Sequence, residues 1–166
     1  MATDGTTPGK PASLRIRAFE PADADAFRRL NEEWIAWHFG MEERDRLVLG
    51  DPVGRVLSSG GRIFFAVSGD ETIGCCALLA LEPGVFEVAK MAVSESRRGN
   101  GVGRKLLEHA IAEARALGAR RLYLETNRKL HNAIHLYESA GFRHLPPERV
   151  KPSPYARADV FMEMLL

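Results

Sequence analysis

The sequence predicts a mixed α/β (α+β) domain, a central sheet with parallel and antiparallel strands flanked by helices, and two observations carry that reading. The predicted elements follow the order βααβββαβαββ, with a helical stretch between the strands that end near Val93 and Thr126. A crossover of that kind joins parallel neighbours, whereas the short turns elsewhere join antiparallel ones. The run Arg97-Arg98-Gly99-Asn100-Gly101-Val102-Gly103-Arg104 stands where the first of those strands gives way to the helix.

Residues 14–19 alternate Leu14 and Ile16 against Arg15 and Arg17, as in a strand with one buried face. A helix follows Pro21, with an apolar side of Ala24, Phe27, Leu30, Trp34, Ile35 and Trp37 and a stop at Gly40; a shorter helical piece is expected over residues 52–57. Residues 62–67 and 72–81 read as a hairpin joined by Ser68-Gly69-Asp70-Glu71, and Glu82-Pro83-Gly84 turns the chain into a strand over 85–93. Val102, Leu106, Leu107, Ala110, Ile111, Ala114 and Leu117 recur at helical spacing up to Gly118. A strand over 121–126, a helix from about 130 to 140 ending at Gly141, and strands over 142–145 and 158–164 complete the set.

A chain of 166 residues with 45% hydrophobic content suits one domain, expected over 13–166, behind a disordered tail over 1–12 rich in Gly, Thr and Pro. A formal net charge of +1 argues against a bulk polyanion such as nucleic acid as partner. No apolar run reaches the roughly 18 residues of a membrane span and no secretory signal is visible, so a cytoplasmic protein with no membrane partner is expected. Cys75 and Cys76 are adjacent in an apolar stretch, which suits buried strand residues and neither a disulfide nor a metal site; no metal is expected.

The glycine-rich run reads as a cradle for a diphosphate. First-turn N–H groups of a helix have no intrahelical partner, the dipole is positive there, and glycine lets phosphate oxygens approach the backbone. Arg98 and Arg104 add charge of the right sign. A Walker loop is excluded because Gly103 is followed by Arg104, Lys105 and Leu106, and a dinucleotide fingerprint because its third glycine would fall at Arg104. Arg98-x-x-Gly101-x-Gly103 does resemble the acetyl-CoA signature Gln/Arg-x-x-Gly-x-Gly/Ala of the GNAT superfamily of N-acetyltransferases. Leu122-Tyr123-Leu124-Glu125-Thr126-Asn127 and Ala133-Ile134-His135-Leu136-Tyr137-Glu138-Ser139-Ala140-Gly141-Phe142 are similar to the strand and helix that follow it in that family.

The resemblance covers nearly the whole chain. It implies the family's fold, a mixed sheet of six to seven strands whose central parallel pair splays apart, and transfer of acetyl from acetyl-CoA to a primary amine by direct attack through a tetrahedral intermediate. It implies that Glu87 is the general base; partial burial between Phe86 and Val88 would raise its pKa toward neutrality. Glu125 is its rival and a wall of the acceptor site. Tyr137 matches the family's general-acid tyrosine, with ring packing beside Ala133, Ile134 and Phe142 as its structural alternative. The coenzyme would be held by the main chain of Met91, Ala92 and Val93 and by Arg98, Gly99, Asn100, Gly101, Val102, Gly103 and Arg104.

Where many members have Asn seven residues before the tyrosine this chain has Leu130, so Asn127 is the expected substitute. The resemblance places Trp34, His38, Tyr155 and Arg157 around the acceptor; Trp34 and Trp37 share a helical face that also suits the core, and an arginine suits an acceptor carboxylate. The expected partner is a small-molecule amine such as an amino acid, with a protein N-terminus or lysine as the alternative acceptor and a homodimer left open. A non-catalytic acyl-CoA-binding module is the competing class of function.

Overall fold

The computed structural model describes residues 13–166, and the tail expected over 1–12 lies outside them. The chain runs β1 (Leu14–Ala18), α1 (Ala24–His38), α2 (Glu43–Gly50), β2 (Arg62–Ser68), β3 (Glu71–Glu82), β4 (Val85–Val93), α3 (Val102–Ala116), β5 (Arg121–Thr126), α4 (His131–Ala140), β6 (Arg143–His144) and β7 (Val160–Leu165). These strands form one sheet in the order β1-β2-β3-β4-β5-β7-β6. Only β4 and β5 pair in parallel, joined by the crossover through α3.

Both sheet faces are covered, which is why β2 and β3 read as almost continuous apolar runs. On one face Ile63, Phe65 and Val67 pack with Phe27, Leu30 and Ile35 of α1 and Val48 and Leu49 of α2. On the other, Phe64 and Ala66 pack with Leu106, Leu107 and Ile111 of α3, and Leu136 and Tyr137 of α4 lie against that cluster. Cys75 belongs to the first core and Cys76 to the second; both are free, because alternation along a strand sends neighbouring side chains to opposite faces.

Three expectations are corrected and one helix is added. The short helical piece expected over 52–57 is present as a single π-helical turn, Val53–Leu57, and upstream of it lies α2, a full helix not among those expected from the sequence. α2 buries the adjacent Val48 and Leu49 while Leu47 is exposed, so it shows no apolar stripe of helical period. Trp37 does not share the buried side of α1: a step of three residues turns the stripe by about 60°, and from half-buried Trp34 it carries Trp37 out to 70% exposure. The strand expected over 142–145 shrinks to β6, and the 62–67/72–81 hairpin closes on a tighter Gly69-Asp70 turn.

The central pair diverges. β4 pairs with β5 only over Val85–Glu87 against Arg121–Tyr123, although β4 continues to Val93 and β5 to Thr126. On the opposite side of β4 the register with β3 slips between Cys75↔Ala92 and Ala77↔Ala89, so that Lys90 and Met91 oppose Cys76 alone. Such a bulge bends its strand and sharpens the local twist. Lys90, at its centre, is the only non-glycine residue with positive φ among the described residues, at 52°. The strand therefore turns away from β5 just beyond Glu87 and opens a gap.

Candidate active site

A cleft of about 930 Å³ fills that gap and runs from the loop before α3 at one end to Tyr155 and Arg157 at the other. At the loop end Gly99 and Gly101 take φ of 80° and 78°, conformations that cost an L-residue strain. A side chain there would collide with nothing within 4 Å, so backbone conformation, not crowding, calls for glycine. Among the described residues the N–H groups of Gly99, Asn100, Gly101, Val102, Gly103 and Arg104 have no protein acceptor; the first amide of the turn to be used is that of Lys105, which donates to the Gly101 carbonyl at 3.1 Å.

The cationic side chains around this loop are held by the protein in different ways. The Arg98 Nε donates to the Val93 carbonyl at 3.0 Å, and both its Nη groups are without a protein acceptor. Arg104 donates to the Ser139 hydroxyl at 3.0 Å, tying α3 to α4. Arg97 pairs with Glu71. Of β4, the segment with no β5 partner includes Met91, Ala92 and Val93, and Met91 and Val93 line the cleft.

Where the strands part, Glu87 faces the cleft beside Glu125. Loss of solvation pushes the Glu87 carboxyl up to about 7, the Glu125 carboxylate pushes in the same direction, and the Lys90 and Arg44 cations oppose both. Glu125 is fixed on both oxygens, by the Tyr123 hydroxyl at 3.0 Å and by the Ser153 hydroxyl. Lys90 is not the partner of Glu87; it is held by Asp45.

Across the cleft Tyr137 projects from α4, its ring edge-on to Phe142 at 6.1 Å. Burial raises its pKa, so the phenol is protonated at neutral pH. Its hydroxyl has no partner in the protein, and no buried polar side-chain atom among the described residues lacks one, so the oxygen itself is accessible. The ring is packed and the hydroxyl is left without a protein partner.

The Tyr155–Arg157 end of the cleft differs from expectation. Arg157 lines the cleft, but its two Nη groups bind the two oxygens of Asp45 at 2.7 Å each. Asn127 also lines the cleft with its side chain already engaged: Nδ2 donates to the Arg157 carbonyl at 2.8 Å and Oδ1 accepts from the Lys129 amide. Asn127 thus fastens the segment before β7 to the loop between β5 and α4. The Trp34 and His38 rings line the cleft with centres 4.8 Å apart and planes tilted by 47°, and burial lowers the His38 pKa, with Arg98 adding to the effect.

Glu42, Asp45, Lys90 and Ser153 had no place in the site read from the sequence. The signal available for the first two was the spacing of Glu42 and Asp45, which form a capping box at the start of α2. Nothing local marked Lys90, whose role follows from the bulge.

The family model described as the acetyltransferase (GNAT) family matches residues 17–142. An uncharacterized N-acetyltransferase of Escherichia coli, YjgM, is 30% identical over 147 residues, covering 83% of this chain and 85% of that protein. An amino-acid acetyltransferase of Ralstonia nicotianae is 37% identical over 148 residues, which cover 82% of this chain but 26% of that longer protein. The fold superposes on a Bacillus subtilis acetyltransferase solved in complex with CoA, with a TM-score of 0.70 at 24% identity over 93% of this chain and 99% of that one. A splayed parallel pair, a glycine loop with open amides and these matches lead to one family: the chain belongs to the GNAT acetyltransferases.

Proposed function

We propose that this chain transfers the acetyl group of acetyl-CoA to a small primary amine, with Glu87 as general base and Tyr137 as proton donor. The observation that carries this reading is Glu87 itself, a carboxyl at the fork of the splayed strands whose pKa of about 7 suits taking a proton from an ammonium-bearing substrate at neutral pH. The Glu87 carboxylate takes one proton from the ammonium, and the freed amine nitrogen bonds to the thioester carbonyl carbon to give a tetrahedral intermediate; as that collapses the carbon–sulfur bond breaks, Tyr137 gives a proton to the departing sulfur, and the second proton lost by nitrogen restores the Tyr137 phenol.

The open amides from Gly99 to Arg104, together with Arg98, support the loop as the seat of the coenzyme diphosphate. Unpaired β4 main chain near Met91 and Val93 is suited to holding the pantetheine arm and the carbonyl oxygen. The segment at Tyr155–Arg157 bridges the acceptor end of the cleft, which favours a small molecule over an extended peptide. The amino-acid acetyltransferase among the relatives supports an amino acid as acceptor. Its carboxylate would need a partner other than Arg157, whose guanidinium fork is taken by Asp45.

The test is acetyl-CoA-dependent thermal stabilisation followed by thiol release with a panel of amines, among them L-methionine, L-glutamate, benzylamine and 1,4-diaminobutane. Stabilisation with turnover of at least one amine is expected. Stabilisation with no turnover across such panels would instead indicate a non-catalytic coenzyme-binding module, and no stabilisation would remove the coenzyme assignment.

A further inference from the structure

The densest set of charges in the molecule lies away from the coenzyme loop. Asp45 on α2 is fully buried, and all of its carboxylate capacity is used. Oδ1 accepts from Lys90 Nζ and Arg157 Nη2, and Oδ2 from Arg157 Nη1 and the Glu42 amide, at 2.7 to 2.9 Å. Glu42 accepts from the Ala156 amide at 2.9 Å, and Lys90 Nζ also donates to the Tyr155 hydroxyl at 2.9 Å. The Arg157 guanidinium lies over the Tyr155 ring, 4.5 Å from its centre.

One carboxylate therefore joins two elements whose other direct link is the hydrogen bond from Lys90 to the Tyr155 hydroxyl. Through Arg157 it holds the strap of residues 155–157, which enters β7 on the β5 side of the gap. Through Lys90 it holds the bulge of β4, on the other side. The strap is tied onward, by Asn127, to the loop between β5 and α4, the helix that carries Tyr137. Burying three charges is costly unless each is paired and geometrically satisfied, so this arrangement persists only as a unit.

We propose that Asp45 is a positioning residue for acetyl transfer: by binding Arg157 of the strap and Lys90 of the β4 bulge at once, it closes the acceptor end of the cleft and fixes that end against the coenzyme side. The inference rests on the proposed function for its kinetic consequence but not for its structural one. An Asn at this position would place an NH₂ against groups that all donate, so Asp45→Asn breaks the unit while barely changing its volume.

The experiment compares wild type, Asp45→Asn and Asp45→Glu as full chains. In Asp45→Asn, amide exchange across residues 150–158 should quicken by at least about tenfold. The KM of the panel amine best used by the wild type should rise by at least about tenfold while the Kd of coenzyme A stays within about twofold. Strap exchange like the wild type's, or amine and coenzyme affinity weakened in equal proportion, would overturn the proposal. If Asp45→Asn does not fold, Asp45→Glu, which keeps the charge and displaces it by one methylene, carries the same expectations and the same refutation. If the wild type uses no amine on the panel, the proposed function fails, and the exchange measurement still decides the role of Asp45.

Discussion

At the coenzyme end of the cleft the protein offers main chain: six consecutive amides without acceptors, and two glycines held at positive φ. At the Tyr155–Arg157 end it offers side chains that are already spent on one another, with Asp45, Lys90, Arg157, Glu42 and Tyr155 locked in a single network. The difference matches the roles proposed for the two ends. A diphosphate is a fixed anion that any chain of this family must grip, and oriented backbone donors grip it at little reorganisation cost. An acceptor pocket has to be shaped, and shape is set by holding separate elements at fixed distances.

The substitutions that probe this contrast differ in size of effect. Glu87→Gln should lower kcat/KM at pH 7 by about 100-fold or more, the range for loss of a general base, and by much less at high pH, where free amine is abundant. The wild-type kcat/KM should climb as pH rises through about 7, because Glu87 accepts a proton only once ionised. The same shift bears on stability. A carboxyl whose pKa is raised by folding adds stability below its unfolded pKa, and that contribution is lost as pH rises through about 7, so Glu87→Gln should raise Tm relative to wild type at pH 8 and leave it unchanged at pH 4. Wild-type turnover by Glu87→Gln at neutral pH would remove this carboxyl from the reaction.

Gly101→Val comes next. A β-branched residue at a φ of 78° is strained by about 1–2 kcal/mol, and the loop should relax by moving its amides, weakening coenzyme affinity by about tenfold in calorimetry. Unchanged affinity would mean that the amides are not the grip, and the contrast between the two ends would fall. Tyr137→Phe should cut kcat by about tenfold with coenzyme affinity within about twofold, since only a free hydroxyl is lost from a ring that stays packed. An unchanged kcat would leave Tyr137 as a packing residue.

The smallest effect is the most discriminating between the two carboxylates. Glu125 raises the Glu87 pKa by charge repulsion, but loss of solvation is the larger cause. Glu125→Gln should therefore move the acid limb of the pH profile down by no more than about one unit, leaving it above the ordinary carboxylate range. Loss of the limb altogether would make Glu125 the base.

Legibility in the sequence divides along the same line. The glycine-rich turn, the crossover and the burial of the adjacent cysteines could be read because each depends on neighbours close in the chain or on strand and helix periods, whereas Glu87 and Tyr137 were nominated by the family resemblance. Asp45 could not: its partners Lys90 and Arg157 lie 45 and 112 residues away, and a short helix that buries Val48 and Leu49 side by side carries no periodic signal. Arg157 was read as a free cation for an acceptor carboxylate because its type and its place after a proline-rich segment were visible and its counter-ion was not. Trp37 misled for a related reason, since a three-residue step preserves a helical face only while the face remains covered.

Amide chemical shifts of labelled protein, followed while coenzyme A is added, test the central claim directly. The account predicts the largest changes at Gly99, Gly101, Val102 and Gly103, smaller ones along Met91 to Val93, and none of comparable size in the strap. No change at the glycines, or a response centred on the strap, would contradict it.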